Sequence, residues 1–179
     1  MNPSFFGDSY DLVKRFFCVE LVTIGYEVVV DPMFTGEWRE LEHQFFRLVG
    51  ARPLDEDSRG KASRRALFLD PDTGVNNRGG ARHVSIERLA REASENELVF
   101  SFDQSFPRQF NPAESMANKL AALNERGCHG MYYDSHARFL FVSREAHALT
   151  ELHEHLVLLG LPAARLGPNR SIERTAIQS

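Results

Sequence analysis

Cysteine is scarce in this chain. Cys18 and Cys128 are the only two among 179 residues, too few for a disulfide framework. Both sit in apolar contexts, where a small buried thiol is the expected role. Long apolar runs are missing too. Tyr26-Glu27-Val28-Val29-Val30 is among the longest and falls far short of a membrane span, so no membrane partner is expected. The opening MNPSFFGDSYD has no positive region followed by an apolar core, so it does not read as a secretory signal. The reading is a cytoplasmic protein. There is no Gly-x-x-x-x-Gly-Lys loop and no Cys/His zinc pattern, which argues against nucleotide hydrolysis of that type and against structural zinc. A net charge of −4 speaks against nucleic-acid binding over the whole surface.

What is there is ordinary in amount and unusual in placement. Apolar residues make up 42% and charged residues 26%, as in globular proteins generally. The length suits one domain, expected over residues 1–167, with a polar, frayed tail over 168–179. The stretch RPLDEDSRGKASRR, residues 52–65, carries five basic and three acidic side chains, with Arg78 and Arg82 not far beyond. This is a solvated loop or a local basic edge.

Helical and strand patterns alternate. Leu12, Phe16, Val19 and Ile24 recur at roughly helical spacing over residues 8–24, with Asp8 or Ser9 as cap and Gly25 as stop. YEVVVD follows as a strand. A second helix is predicted over 38–49 and a second strand at ALFLD. Ser85 caps a third helix with Arg88 at its third position, and ELVFSFD is the next strand. A helix over 112–126 ends at Gly127. GMYYDSHARFLFVS reads as two strands around a turn at 134–137, and a last helix covers 144–160. The pattern predicts an α/β fold: a mostly parallel sheet flanked by helices, with a C-terminal antiparallel hairpin at its edge.

Three predicted strands end in aspartate: Asp31, Asp70 and Asp103. Parallel strands deliver their carboxyl ends to one edge, where ligands bind in α/β sheets. The three should gather on one rim, with Asp72 close by and Asp134 joining from the next strand. Each is also a natural turn or cap residue. Proline after both Asp31 and Asp70 fixes the backbone and holds those carboxylates in extended geometry.

Two motifs carry a resemblance. DPMFTG, residues 31–36, is similar to the Asp-Pro-Phe-x-Gly-x-Gly turn of amino-group DNA and RNA methyltransferases, and ALFLDPDTG, residues 66–74, resembles their Asp-Pro-Pro-Tyr motif. FFGDSYDLVKRFF, residues 5–17, resembles the helix start that precedes them in some members. The resemblance spans residues 5–75 and implies a Rossmann-like sheet acting on a nucleic acid or nucleotide. It also implies S-adenosylmethionine in a pocket lined by Asp31 and Gly36, and Asp70 with Pro71 facing the acceptor amine. The chain departs from the family at Gly36, where a glycine pair is expected, and at Asp72 and Thr73, which replace a proline and the aromatic that stacks on the base.

A rival reading uses the extra carboxylate. Asp70, Asp72 and Asp103 would hold Mg²⁺ for phosphodiester cleavage by a nuclease or phosphohydrolase, with Arg64, Arg65, Arg78 and Arg82 on the phosphate. Asp134 and His136, in the predicted hairpin turn, are further catalytic candidates, His136 as an acid or base. Phe106 borders the same rim as a stacking ring or as simple packing. The loop GVNNRGGAR, residues 74–82, either closes over a substrate or is an unconstrained surface loop. In a third reading the chain is a non-catalytic interaction module that presents one member of each phenylalanine pair (5/6, 16/17, 45/46) to a partner.

Overall fold

A computed structural model of the chain describes residues 2–35, 38, 41–55, 64–106 and 111–167. Gly36, most of the basic stretch and the tail expected over 168–179 lie outside the described residues.

The strands form because β-branched and aromatic residues run in short blocks between breakers. They are β1 (Glu27–Asp31), β2 (Arg52–Pro53), β3 (Arg65–Leu69), β4 (Gly74–Asn76), β5 (His83–Ser85), β6 (Leu98–Phe102), β7 (His129–Tyr133), β8 (Phe139–Ser143) and β9 (Leu166–Gly167). Seven of them make one sheet in the order β2-β1-β3-β6-β8-β7-β9. The first four run parallel, and β8, β7 and β9 each pair antiparallel to their neighbours. The expected hairpin is present, but its second strand slots between β6 and β7, and β9 forms the edge. All five residues of β8 are buried, which suits an interior strand better than an edge.

The helices are α1 (Ser9–Thr23), α2 (Glu42–Val49), α3 (Ile86–Glu92), α4 (Pro112–Asn124) and α5 (Ala146–Leu158). The starts of α1, α3 and α4 are capped by side chains. Asp8 Oδ1 accepts from Tyr10 N at 2.9 Å, Ser85 Oγ from Arg88 N at 2.9 Å, and Asn111 Oδ1 from Ala113 N at 3.0 Å. No helix among the described residues is long and apolar enough to cross a membrane.

Strand residues alternate between two cores. Val28, Val30, Ala66, Phe68, Phe100, Phe139 and Phe141 join Phe17 and Leu21 of α1, Phe45 of α2 and Leu152 of α5. Val29, Leu67, Leu69, Val99, Leu140 and Val142 join Ile86 and Leu89 of α3 and Met116 and Leu123 of α4. On the first face Phe68, Phe100 and Phe141 stack across three neighbouring strands, with centroids 4.7 and 5.7 Å apart.

One expectation about α1 is corrected. Its buried stripe is Asp11, Lys14, Phe17, Cys18 and Leu21, whereas Leu12 and Val19 face outward at 58% and 40% exposure. Phe16 packs half-buried against the core, but the spacing of Leu12 and Val19 marks the outer side of the helix, because a lysine and an aspartate occupy the inner one.

The loop after β3 is neither a free lid nor unconstrained. β4 and β5 pair in parallel as a small second sheet. Thr73 donates to the Arg82 carbonyl from both its N–H and its hydroxyl, at 3.0 and 2.7 Å. Asn76 Oδ1 accepts from Arg78 N and Gly79 N at 3.0 and 2.6 Å.

Candidate functional site

The sheet has a switch point. From β1 the chain passes through α2 on one face to β2. From β3, on the other side of β1, it passes to α3 on the opposite face. Connections that diverge from adjacent parallel strands leave a crevice outside their carboxyl ends, the usual ligand position in open α/β sheets.

All four strand-ending aspartates reach this edge, since β7 runs in the same sense as β6. They do not share a pocket there. The pleat decides it, because successive residues of a strand point to opposite faces. Asp31 pairs with Leu69 in register and Leu69 with Ser101. Asp70 is therefore one residue beyond Asp31, and Asp103 one residue beyond Asp70. Asp31 turns toward α3, where its Oδ2 meets Arg88 at 2.5 Å while its Oδ1 accepts from Met33 N at 3.1 Å. Asp70 turns the other way, to α1. Asp103 turns back toward α4, and Asp134 pairs with Arg138 at 2.8 Å.

Asp103 is fully occupied. Its Oδ1 accepts from Val75 N at 2.9 Å and Ser105 N at 3.1 Å, and its Oδ2 from Lys119 and the Tyr132 hydroxyl, each at 2.7 Å. Burial, opposed by Asp103, lowers the Lys119 ammonium. Burial and the Asp103 charge push the Tyr132 hydroxyl well above its ordinary range. This network fastens β4 to β6. Asp103→Asn keeps the shape but loses the charge that holds Lys119. It is expected to cost about 2 kcal/mol in urea unfolding, and a loss below about 0.5 kcal/mol would mean the network is not holding the loop.

Asp70 anchors the crevice. It is completely buried, and its Oδ2 takes a hydrogen bond from Lys14 Nζ at 2.9 Å; the same ammonium bonds Asp11 Oδ1 at 2.9 Å. Asp11 Oδ2 in turn accepts from Gly7 N at 2.7 Å. The Phe102 and Phe45 rings lie 5.5 and 6.0 Å from the Lys14 nitrogen. Burial works against the Lys14 charge, but Asp70 and Asp11 overcome it and raise its affinity for the proton. Burial also raises Asp70, outweighing the pull of Lys14. Beneath them the buried Cys18 thiol is pushed up to about 12, by burial first and then by the Asp70 charge, which makes it inert. Asp70 Oδ1 is buried with no hydrogen-bond partner among the described residues, an arrangement that costs free energy unless a donor arrives.

Above this group lies a cavity of ≈ 170 Å³ whose lining includes Lys14, Asp11, Pro71 and Asp72 with the rings of Phe5, Tyr10 and Phe102. Asp72 accepts from the Thr35 hydroxyl at 2.6 Å and stands 3.4 Å from Arg82 Nε at the mouth. Burial opposes ionisation of Asp72, and Thr35 and Arg82 are among the groups that hold its carboxyl below the ordinary range nonetheless.

The other predicted residues are dispersed. Arg64 and Arg65 begin the strand that Asp70 follows, so they stand at the opposite edge of the sheet. There Arg64 bonds Glu97 and Glu151 and covers the Tyr26 ring, while Arg65 approaches Glu27 at 3.8 Å. The phosphate role expected of them beside Asp70 is corrected by that placement. Arg78 is exposed on the loop. Phe106 lies under Lys119 and Arg138, 4.4 and 4.8 Å from its centroid. His136 does reach the crevice wall, bonding the Tyr10 hydroxyl. The shared cation site expected of Asp70, Asp72 and Asp103 is not formed, because Asp70 and Asp103 face opposite sides of the sheet. Among the described residues no group of three His, Cys, Asp or Glu side chains is placed to hold a metal ion, and the Lys14 ammonium occupies the place between Asp11 and Asp70 that a cation would take.

Sequence reasoning missed Asp11, Lys14 and Tyr10. A signal was present in the spacing of Lys14, Phe17, Cys18 and Leu21, a helical stripe with a lysine inside it. No family model matches the chain, and no curated protein or solved structure matches it either.

Proposed function

We propose that the crevice binds the amino edge of a nucleobase, as a free nucleoside, a nucleotide or part of a nucleic acid, and that the chain is a methyltransferase-like protein acting on that amino group. The supporting observation is Asp70 Oδ1, a buried acceptor with no hydrogen-bond partner among the described residues, set behind Pro71 and Lys14, which line an acid-floored pocket with aromatic walls at the switch point of a parallel sheet. An N–H donor satisfies the carboxylate, and a flat ring suits Phe5, Tyr10 and Phe102. At ≈ 170 Å³ the cavity is smaller than the roughly 300–1,000 Å³ of drug-sized sites, so it takes one ring system and leaves any sugar and phosphate outside, near Arg82.

Methyl transfer from S-adenosylmethionine is the reaction that the motifs imply. Asp31, the cofactor-side residue within the described region, has both oxygens engaged by Arg88 and Met33 N. It does not fit as a free ligand for the cofactor, and acceptor binding is argued without it.

Thermal unfolding tests the reading with adenosine and cytidine against inosine and uridine, which lack the amino group. A nucleoside at a hundred times its dissociation constant adds about 2.7 kcal/mol. Adenosine or cytidine is expected to stabilise the protein, their counterparts are not, and Asp70→Asn is expected to remove the effect. A parallel titration with S-adenosylmethionine tests the cofactor. If no amino-bearing nucleoside or nucleotide raises the unfolding temperature, the acceptor site is not there.

A further inference from the structure

Three rings line the crevice, and they are held differently. Phe102 is only 7% exposed and belongs to the core of β6, whereas Phe5 is 62% exposed on the short turn before α1. Tyr10, in the first turn of α1, lies between these extremes and is braced on two sides. Its ring meets Phe102 edge-on, with centroids 5.2 Å apart at 64°. The His136 imidazole lies nearly parallel to it, 5.6 Å away at 26°, and His136 Nε2 is 2.8 Å from the Tyr10 hydroxyl. His136 is fixed in turn, because the Gln104 side-chain amide donates to its backbone carbonyl.

The contacts join three elements distant in sequence: α1, the loop after β6 and the turn between β7 and β8. Each fixes the ring that forms one wall of the cavity above Lys14 and Pro71. Thr73, on the same loop as Pro71, offers no ring there and is tied to the Arg82 carbonyl.

We infer that Tyr10 supplies the aromatic surface against which the bound base packs, and that His136 is the positioning residue that holds Tyr10 in place. The inference rests on the amino-base reading and adds to it the specificity-determining ring and its brace. It also gives the turn at 134–137 a part in the site: His136 acts through the tyrosine and needs no contact with the ligand.

The probe is 2-aminopurine riboside, an amino-bearing base analogue whose fluorescence is quenched when it stacks on an aromatic ring. The wild-type protein is expected to bind and quench it. Base–aromatic stacking contributes about 1–3 kcal/mol, so Tyr10→Leu should weaken binding about tenfold and abolish quenching, with its unliganded unfolding temperature showing that the fold is kept. Tyr10→Phe and His136→Ala both break the hydroxyl–imidazole bond and leave a ring. Each should weaken binding about threefold, and the double variant should lose no more than either alone. Quenching by Tyr10→Leu equal to wild type, or additive losses in the double variant, overturns the inference. Binding without quenching by the wild type overturns it and leaves the acceptor site standing. Failure of the wild type to bind the probe or any amino-bearing nucleoside overturns both.

Discussion

Gly74→Ala is expected to destabilise the protein by about 4 kcal/mol, a large part of the net stability of a domain of this size. Gly74 opens β4 with a φ of +113°, a backbone conformation that alanine adopts only under strain. Space is the second difficulty. A Cβ there would overlap Asp103 Oδ1, and it would stand 2.6 Å from Gln104 N and 2.8 Å from Asp103 Cα. Two of these three atoms are backbone and cannot swing aside. The loop must lift from the end of β6, which breaks the Val75 N–Asp103 bond and shifts the Pro71–Asp72 wall of the crevice. Gly80→Ala is the matched control. Gly80 also has a positive φ, at +139°, but nothing lies within 4 Å of its added Cβ, so it carries the backbone cost alone, about 1–3 kcal/mol. Urea unfolding of the two variants side by side measures the difference. Equal losses would mean that the close approach of β4 to β6 is not what requires glycine at 74.

The sheet was legible in the sequence because it is written locally. EVVVD, RALFL and LVFSF are short blocks of strand-forming residues, and each ends at an aspartate that the parallel arrangement carries to the same edge. Which aspartates would meet is a matter of parity, and parity depends on register between strands distant in the chain. One residue of offset sends Asp70 to α1 and Asp31 and Asp103 to the other face. The repeated strand endings mark the edge correctly and overstate the convergence. The unbroken burial of β8 was available in FLFVS, which reads as an interior strand once alternation is sought and not found.

The crevice was half legible for a related reason. Asp70, Pro71 and Asp72 directly follow a strand-forming block, and His136 stands in the expected hairpin turn. Lys14 and Asp11 were hidden by the rule that charges belong outside, which holds unless the charges neutralise one another. Asp70, which Lys14 bonds along with Asp11, is 56 residues from the lysine in the chain. Tyr10 gives no pattern at all until β7 and β8 fold back and bring His136 to it.

Lys14→Met should separate an electrostatic role for that buried lysine from a packing one. Methionine keeps a long, flexible apolar stem and removes the ammonium that Asp11 and Asp70 share, leaving two carboxylates at 0% exposure without it. Breaking a buried pair in this way costs about 3–5 kcal/mol at neutral pH. The loss has a sign in pH. Asp70 in the wild type already holds its proton above the ordinary value of 3.8 because burial outweighs Lys14, and removing Lys14 raises it further. A group whose folded value is raised contributes stability below its unfolded value and loses it as pH rises through the folded one. The variant is therefore expected to close on the wild type as pH falls from neutrality toward about 4. Lys14 is raised above 10.5, so its own contribution is present throughout the neutral range and disappears only as pH climbs past that folded value. Adding Asp11→Asn and Asp70→Asn to Lys14→Met removes the uncompensated charge and should restore most of the stability at neutral pH. If the lysine serves only through the packing of its stem, the deficit will be the same at pH 4 and pH 7 and the asparagines will deepen it, since each amide then adds a buried donor with nothing to bond.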